Sequence, residues 1–287
     1  MQDNQALRIN KYLASCGICS RREADVLLLS GRVRMNGEVV PSGAKVTWHD
    51  LVTVDGVPVR PMQSRILVAY NKPKGTTCTT RDVHADRTVY EDVQVFVNDR
   101  PIRLSYAGRL DRDSEGLILF TNDGDLIDKI TRGKFKQEKE YLVAVAKHKD
   151  DNAPLQEKIA KLQEGVFLQE LNRTTNPAKV SELIGDAADV FTQQIGKEVR
   201  QVRVNDGVPL RAPKKKTDPT QDVHVLRIVL TQGLNRQIRR MCEVVGLKVL
   251  RLQRVRVMNV ELNDLSPGAW RYLTEEETEG LLKLIEG

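Results

Sequence analysis

The stretch that decides the reading of this chain is Ala107-Gly108-Arg109-Leu110-Asp111-Arg112-Asp113-Ser114-Glu115-Gly116-Leu117-Ile118-Leu119-Phe120, continued by Thr121-Asn122-Asp123-Gly124-Asp125-Leu126. Leu117 to Phe120 is a short, wholly apolar run bounded by turn residues, which predicts a buried strand. Asn122-Asp123-Gly124 closes it with a turn, and a short helix is expected from about Asp125 to Arg132. Just before the strand stands Asp111, flanked by Arg109 and Arg112. An aspartate so placed is, on composition alone, more often a surface ion pair than a catalyst.

Outward from this stretch, Ile66 to Tyr70 predicts a strand upstream, and Tyr141 to Val145 one downstream. Leu155, Ile159 and Leu162 fall at i, i+4 and i+7 and mark a helix, with Asn152 and Pro154 as cap and first turn. Val223 to Leu230 reads as a strand, and Gly233 opens a turn into a helix over Arg236 to Val245. Further strands run to Val260, and a last helix follows Thr274. Strands and helices mixed without regular alternation argue for α+β, with a mainly antiparallel sheet and flanking helices. Residues 171–222 are the least legible. Asn, Thr, Pro, Lys and Asp are frequent there and a lysine triplet follows Pro213, so part of the segment is expected to be a flexible excursion.

The first sixty residues form a pattern of their own. Leu7, Tyr12 and Leu13 give a first helix its apolar side, and Ser20-Arg21-Arg22-Glu23 reads as a capping box for a second. Gly31 is placed to end that helix. Asn36-Gly37 and Asp55-Gly56 then supply type I′ hairpin turns between alternating segments. Arg8, Lys11, Arg21, Arg22, Arg32 and Arg34 fall on the helices and first strand as candidate RNA contacts. Pro58 to Ser64 reads as a hinge, which divides the chain into residues 1–60 and 61–287.

Composition narrows the class. A chain of 287 residues can bury a core without staples, and the 40% apolar content is that of an ordinary soluble protein. The formal charge of +6 is mild, but between Val225 and Val260 eight Lys/Arg stand against the single acid Glu243, which reads as a footprint for phosphate. No apolar run approaches the roughly 20 residues that span a bilayer, so no membrane partner and a cytoplasmic location are expected. Cys16 and Cys19 make a lone C-x-x-C without a second ligand pair, so no metal site is expected. P-loop, dinucleotide, H-E-x-x-H and Gly-x-Ser-x-Gly motifs are all missing, which removes the common cofactor and hydrolase classes.

The N-terminal pattern "RINKYLASCGICSRREADVLLLSGRVRMNG" resembles the S4 RNA-binding domain. "AGRLDRDSEGLILFTNDGDL" is very similar to the catalytic motif of pseudouridine synthases of the RsuA/RluB/RluE/RluF type. "NKPKG" at 71–75, "KEYLV" at 139–143 and "GLNRQIRRMCEVVG" at 233–246 agree in order and spacing, with "NRQIRRMCE" nearest the RluF branch. Ser114 stands where many relatives carry Thr. The resemblance implies the pseudouridine synthase fold, Asp111 as the essential carboxylate, Tyr141 as the conserved tyrosine and Arg239 as its basic partner held against Asp111. It implies RNA as partner, most of all 23S ribosomal RNA with transfer RNA as a secondary substrate, no cofactor, and a chain for which a monomer suffices. Arg109 would fill the place of the flipped uridine or grip a phosphate; Arg236, Arg240 and Arg254 would hold phosphates. Attack on the sugar, attack on the base and a glycal route all remain open at this level. A non-catalytic S4-bearing assembly factor would use the same basic patches, but would have no physical reason to keep Asp111, Tyr141 and Arg239 together.

Overall fold

The computed structural model describes residues 6–62, 64–79, 87–97, 99–132, 137–147, 151–195 and 222–286. The N-terminal unit runs β1 (Leu7–Arg8), α1 (Ile9–Ser15), α2 (Arg21–Leu29), β2 (Val33–Met35), β3 (Glu38–Val39), β4 (Lys45–Val46), β5 (Val52–Val54) and β6 (Val57–Pro58). The capping box of α2 is complete: Glu23 N–H donates to Ser20 Oγ, and Ser20 N–H to Glu23 Oε2. At its other end Gly31 at φ +68° lets Gly31 and Arg32 bond back to the Leu28 and Leu27 carbonyls, a Schellman closure. Asn36 and Asp55 take positive φ ahead of Gly37 and Gly56, as the two hairpin turns require. One expectation is corrected here. Leu7 lies in a strand paired with Val46 rather than on α1, whose buried side is Ile9, Tyr12 and Leu13.

The rest of the chain continues β7 (Leu67–Lys72), α3 (Val89–Asp92), β8 (Val95–Val97), β9 (Arg100–Ile102), β10 (Ser105–Ala107), β11 (Glu115–Thr121), α4 (Gly124–Thr131), β12 (Lys139–Lys147) and α5 (Leu155–Glu164). It proceeds through β13 (Phe167–Leu168), β14 (Arg173–Thr174), β15 (Lys179–Leu183), α6 (Asp186–Thr192), β16 (Val223–Leu230), α7 (Gln237–Val244), β17 (Leu247–Val257), β18 (Val260–Glu261), β19 (Trp270–Tyr272) and α8 (Glu275–Glu286). A nine-stranded sheet has the order β15-β16-β12-β17-β11-β7-β19, with β10 added to β11 and β18 to β17. Every ladder in it is antiparallel except β11 with β17, which meet in parallel only at Glu115↔Gln253 and Gly116↔Arg254. The fold is α+β.

Alternation along β11 shows why the sheet is covered on both sides. Ile118 and Phe120 join Tyr70, Val143 and Ile228 in a core that also takes Ile159 and Leu162 of α5 and Ile238 and Met241 of α7. Leu117 and Leu119 face the other way, onto Leu126 and Ile130 of α4 and Leu281 of α8. The expected capping of α5 is also corrected. Pro154 itself is the N-cap, without a side-chain cap bond, and Asp151 rather than Asn152 accepts from the Ala153 N–H. Lys158 of α5 then donates to the Val245 carbonyl at 2.8 Å, which ties α5 to the end of α7.

Residues 171–195 of the stretch read as an excursion are regular: β15 forms the edge of the large sheet and α6 packs Ala188 and Phe191 onto Ala144 and Val225. The lysine triplet after Pro213 lies outside the described residues. The N-terminal unit has its own core around Ile9, Leu13, Leu28 and Val52. It meets the larger body along a seam, where Arg103 N–H donates to Gly17 O at 2.9 Å and Met62 N–H to Ser15 O at 3.2 Å. Arg103 also holds Glu23 at 2.8 Å, and Lys11 holds Asp125 at 2.9 Å. Lys11, expected to face RNA, therefore points into the seam.

Candidate active site

Asp111 lies on the loop between β10 and β11, and that loop is tied down from below. Ser114 N–H donates to Asp111 O at 3.0 Å, and Gly75 N–H donates to Arg112 O at 2.7 Å. Lys72, at the end of β7 and fully buried, donates through Nζ to Ser114 O at 2.6 Å and Pro73 O at 3.0 Å. The "NKPKG" segment thus acts as the floor of the Asp111 loop. Burial pushes the Lys72 ammonium down to about 8, against the nearby acidic charges of Glu115, Asp113 and Asp111.

The other wall is α7. Leu234 N–H donates to Gln237 Oε1, and Arg236 adopts a left-handed conformation at φ +50°, uncommon for a residue with a side chain. Strain of this kind costs on the order of 1–3 kcal/mol and collects at functional sites. Its product here is geometric: Arg236 reaches Asp113 with Nη1 at 3.1 Å and Nη2 at 3.2 Å, and Asp111 Oδ2 with Nη1 at 3.8 Å. Arg239 donates from Nη2 to Asp113 O at 3.0 Å, with Nε 3.4 Å from Asp113 Oδ2. Burial alone would raise the Asp113 carboxyl; the Arg236 hydrogen bond and the Arg239 and Arg236 charges together hold it below the ordinary range.

The expectation of Arg239 pressed against Asp111 is corrected: Arg239 is committed to Asp113, and Arg236 is the guanidinium paired with Asp111. Asp113 and Lys72 were not foreseen as part of the site. The signal for Asp113 was present in the spacing, since acids at i and i+2 on one loop compete for the same cations. Asp111 itself keeps 33% of its side-chain surface exposed.

Tyr141 sits on β12 opposite Arg254 of β17 and Ile228 of β16, on the face that carries Tyr70 and Val143. The β12–β17 register slips between Glu140 and Tyr141, a bulge of the kind that re-aims a side chain beside a site. Arg254, expected to hold a phosphate, is only 2% exposed. β11 pairs with β17 at residues 115–116 and with β10 at 119–121, so its edge changes neighbours in between. Arg254 Nε donates to Leu117 O at 2.7 Å and fills that break. Its Nη2 has no partner among the described residues.

The basic window is also corrected. Arg227, Arg251 and Arg256 hold Glu140, Glu115, and Glu138 with Glu140; Arg236 and Arg239 hold Asp113; Arg240 holds Glu170. Arg254 is buried, and Lys248 is exposed. The balancing acids come from other strands and loops, so most of this window is internal wiring. Arg8, Arg21, Arg22 and Arg109 are exposed, while Arg32 is engaged by Asp55 at 2.5 Å. Among the described residues no helix is long and apolar enough to cross a membrane, and no group of three metal-type ligands occurs.

Residues 66–244 match the family model described as RNA pseudouridylate synthase, and residues 7–47 match the S4 domain. The chain belongs to the RNA pseudouridylate synthase family. Over its full length this pseudouridine synthase is 39% identical to "Dual-specificity RNA pseudouridine synthase RluF" of Escherichia coli (strain K12), covering 82% of that protein. It is 32% identical to "Ribosomal large subunit pseudouridine synthase B" of Bacillus subtilis (strain 168), covering 97% of each chain. A crystal structure of a pseudouridylate synthase superposes with a TM-score of 0.57 at 26% identity, over 96% of this chain and 99% of that one. The likeness to the RluF branch read from the α7 motif therefore extends across the whole synthase.

The buried Lys72 gives the synthase a pH signature. The folded ammonium titrates near 8 and an unfolded lysine near ~10.4, so the unfolded chain binds more protons between those values. This group's contribution to stability accordingly rises with pH across that window. Lys72→Met removes the effect, so wild type should gain about 2 kcal/mol of stability relative to the variant between pH ~7.5 and ~9.5 in urea unfolding. A difference that stays flat would show that Lys72 does not titrate there.

Proposed function

We propose that this synthase converts uridine to pseudouridine in ribosomal RNA of the large subunit, with transfer RNA as a secondary substrate, and that Asp111 is its catalytic carboxylate. The observation that carries the reading is the division of labour on the 111–114 loop. Asp113 takes the close contacts of Arg236 and Arg239, and Lys72 and Gly75 pin the backbone, which leaves Asp111 a half-buried acid whose one ion pair among the described residues is the long 3.8 Å contact to Arg236. The reaction breaks the N1–C1′ bond, turns the uracil and joins C5 to C1′; the C5 hydrogen leaves as a proton and N1 gains one. No electrons are exchanged, so protein groups suffice.

Asp111 acts as nucleophile toward the sugar or the base, or as the base that takes a ribose proton in a glycal route. Arg236 and Arg239, through Asp113 and directly, keep the loop charged and oriented when RNA excludes water. Tyr141 lines the uracil side. Flipping the uridine costs a few kcal/mol, offset by phosphate contacts from exposed cations such as Arg8, Arg21, Arg22 and Arg109. Residues 1–60 serve as the RNA-gripping part and 61–287 as the catalytic part of a monomer working in the cytoplasm.

The test is tritium release from uridine labelled at C5 in 23S transcripts and in transfer RNA. Release from the 23S transcript is expected to exceed that from transfer RNA. Tight binding of ribosomal RNA with no release from any RNA would overturn the proposal in favour of a binding factor.

A further inference from the structure

The N-terminal unit carries a surface feature that the chemistry at Asp111 does not use. Trp48, one of two tryptophans in the chain, is 61% exposed. The turn that displays it, Thr47 to Asp50, is braced from within. Asp50 Oδ2 accepts from Thr47 N–H at 2.7 Å and from its Oγ1 at 2.6 Å, and Oδ1 accepts from Asn36 Nδ2 at 2.9 Å. The indole is therefore presented by a fixed support.

Beside it opens a shallow cleft lined by Tyr12, Trp48, Asp50, Arg60 and Pro61. Tyr12 is buried and its hydroxyl is used on Val59 O at 3.1 Å. Asp50 is the single acid of the lining, and both of its oxygens are taken up, by Thr47 and by Asn36. What the cleft offers a visitor is the exposed Trp48 indole and the Arg60 guanidinium, with the buried Tyr12 behind them.

The charges nearby point to the kind of visitor. Arg8 and Lys45 lie directly opposite each other in the β1–β4 ladder, and both are exposed. Like charges so placed destabilise a strand pair, and an anion between them reverses the sign. Lys11 and Arg32 hold Asp125 and Asp55; Arg8, Lys45 and Arg60 hold no carboxylate among the described residues. Lys45 is three residues from Trp48, and Arg8 is the N-cap of α1, the helix that carries Tyr12. An aromatic shelf, an arginine plane and a pair of opposed cations fit an unpaired nucleotide, whose base stacks and whose phosphates need positive charge.

We propose that the Trp48 cleft stacks one unpaired nucleobase of the RNA substrate, with Arg60 against the base and Arg8 and Lys45 on the flanking phosphates. The inference rests on RNA as substrate and is independent of which group performs the isomerisation.

Trp270→Phe leaves Trp48 as the only indole and gives a direct reporter. Single-stranded RNA should quench its emission along the same isotherm that fluorescence anisotropy of labelled RNA follows, and should shield it from acrylamide. In the otherwise natural chain, Trp48→Ala should weaken RNA binding about five- to a hundredfold, and Trp48→Phe should recover most of the loss. It should raise KM for RNA and leave kcat unchanged. Arg8→Ala and Lys45→Ala should each reduce the log–log salt slope by about 0.7. RNA that binds by anisotropy while Trp48 emission and accessibility stay unchanged would overturn the proposal, as would wild-type affinity in Trp48→Ala. The quench should persist in Asp111→Asn, so failure of the cleft and failure of the catalytic assignment give different results.

Discussion

Asp111→Asn is expected to lower single-turnover pseudouridine formation by about four orders of magnitude or more, the scale seen when a sole reactive group is removed from an enzyme. Asparagine keeps the volume and the loop geometry, since the hydrogen bonds that hold the loop come from its backbone, Lys72 and Gly75. RNA affinity should be equal or slightly tighter, because one negative charge near the phosphates is gone. The pairing of Arg236 and Arg239 with Asp113 should also survive, so thermal stability should hardly move. Tritium release and RNA anisotropy on the same preparation check the two halves. An active Asp111→Asn enzyme would remove this residue from the chemistry.

The second large effect is expected at Gly116. Its φ is +106°, and an added Cβ would stand 2.3 Å from the Arg254 carbonyl oxygen and 2.7 Å from the Arg254 nitrogen. Both atoms belong to the backbone of β17, so nothing flexible can give way. Gly116→Ala must therefore separate β11 from β17 at their short parallel contact, in addition to straining φ. We expect a loss of roughly 3 kcal/mol or more and a melting temperature lower by on the order of 10 °C. The loop of Asp111 ends at Ser114, two residues before Gly116, so activity should fall further than the folded fraction, on the order of a hundredfold for an ångström of displacement. Wild-type melting and turnover in Gly116→Ala would show that the close approach of β11 and β17 is dispensable.

Much of this architecture is legible in the chain because local rules and global packing agree. Ser20-Arg21-Arg22-Glu23 forms its capping box, Asn36-Gly37 and Asp55-Gly56 turn their hairpins, and Leu117 to Phe120 is buried on both faces of the sheet. Leu155, Ile159 and Leu162 share the buried side of α5. The readings that failed depend on contacts between distant segments. A count of charges from Val225 to Val260 cannot see Glu140, Glu115, Asp113 or Glu170, which reach those arginines from elsewhere. Arg254 looks like its neighbours in sequence, and only the change of partners along β11 explains why it is buried. β15 was obscured because this five-residue edge strand has Lys179 and Ser181 on one face and puts Glu182 beside Val180 on the other, so it carries little apolar alternation. At the site, the motif located the loop of Asp111, but the choice of Arg239 for Asp113 over Asp111 is set by how α7 docks, a matter of a few ångströms.

The junction at Gly17 bears on how a target nucleotide is chosen. Backbone hydrogen bonds from Arg103 and Met62, and an Ile102 methyl that would lie 3.1 Å from any Cβ at Gly17, seat the N-terminal unit against the larger body. The separation between Trp48 and Asp111 is then a property of the protein, like the gap of a caliper. With Asp111 as the proposed catalytic group and Trp48 as the proposed stacking site, an RNA would have to match that gap with its own folded shape, and two uridines in identical sequence but at different distances from a loop would meet different fates.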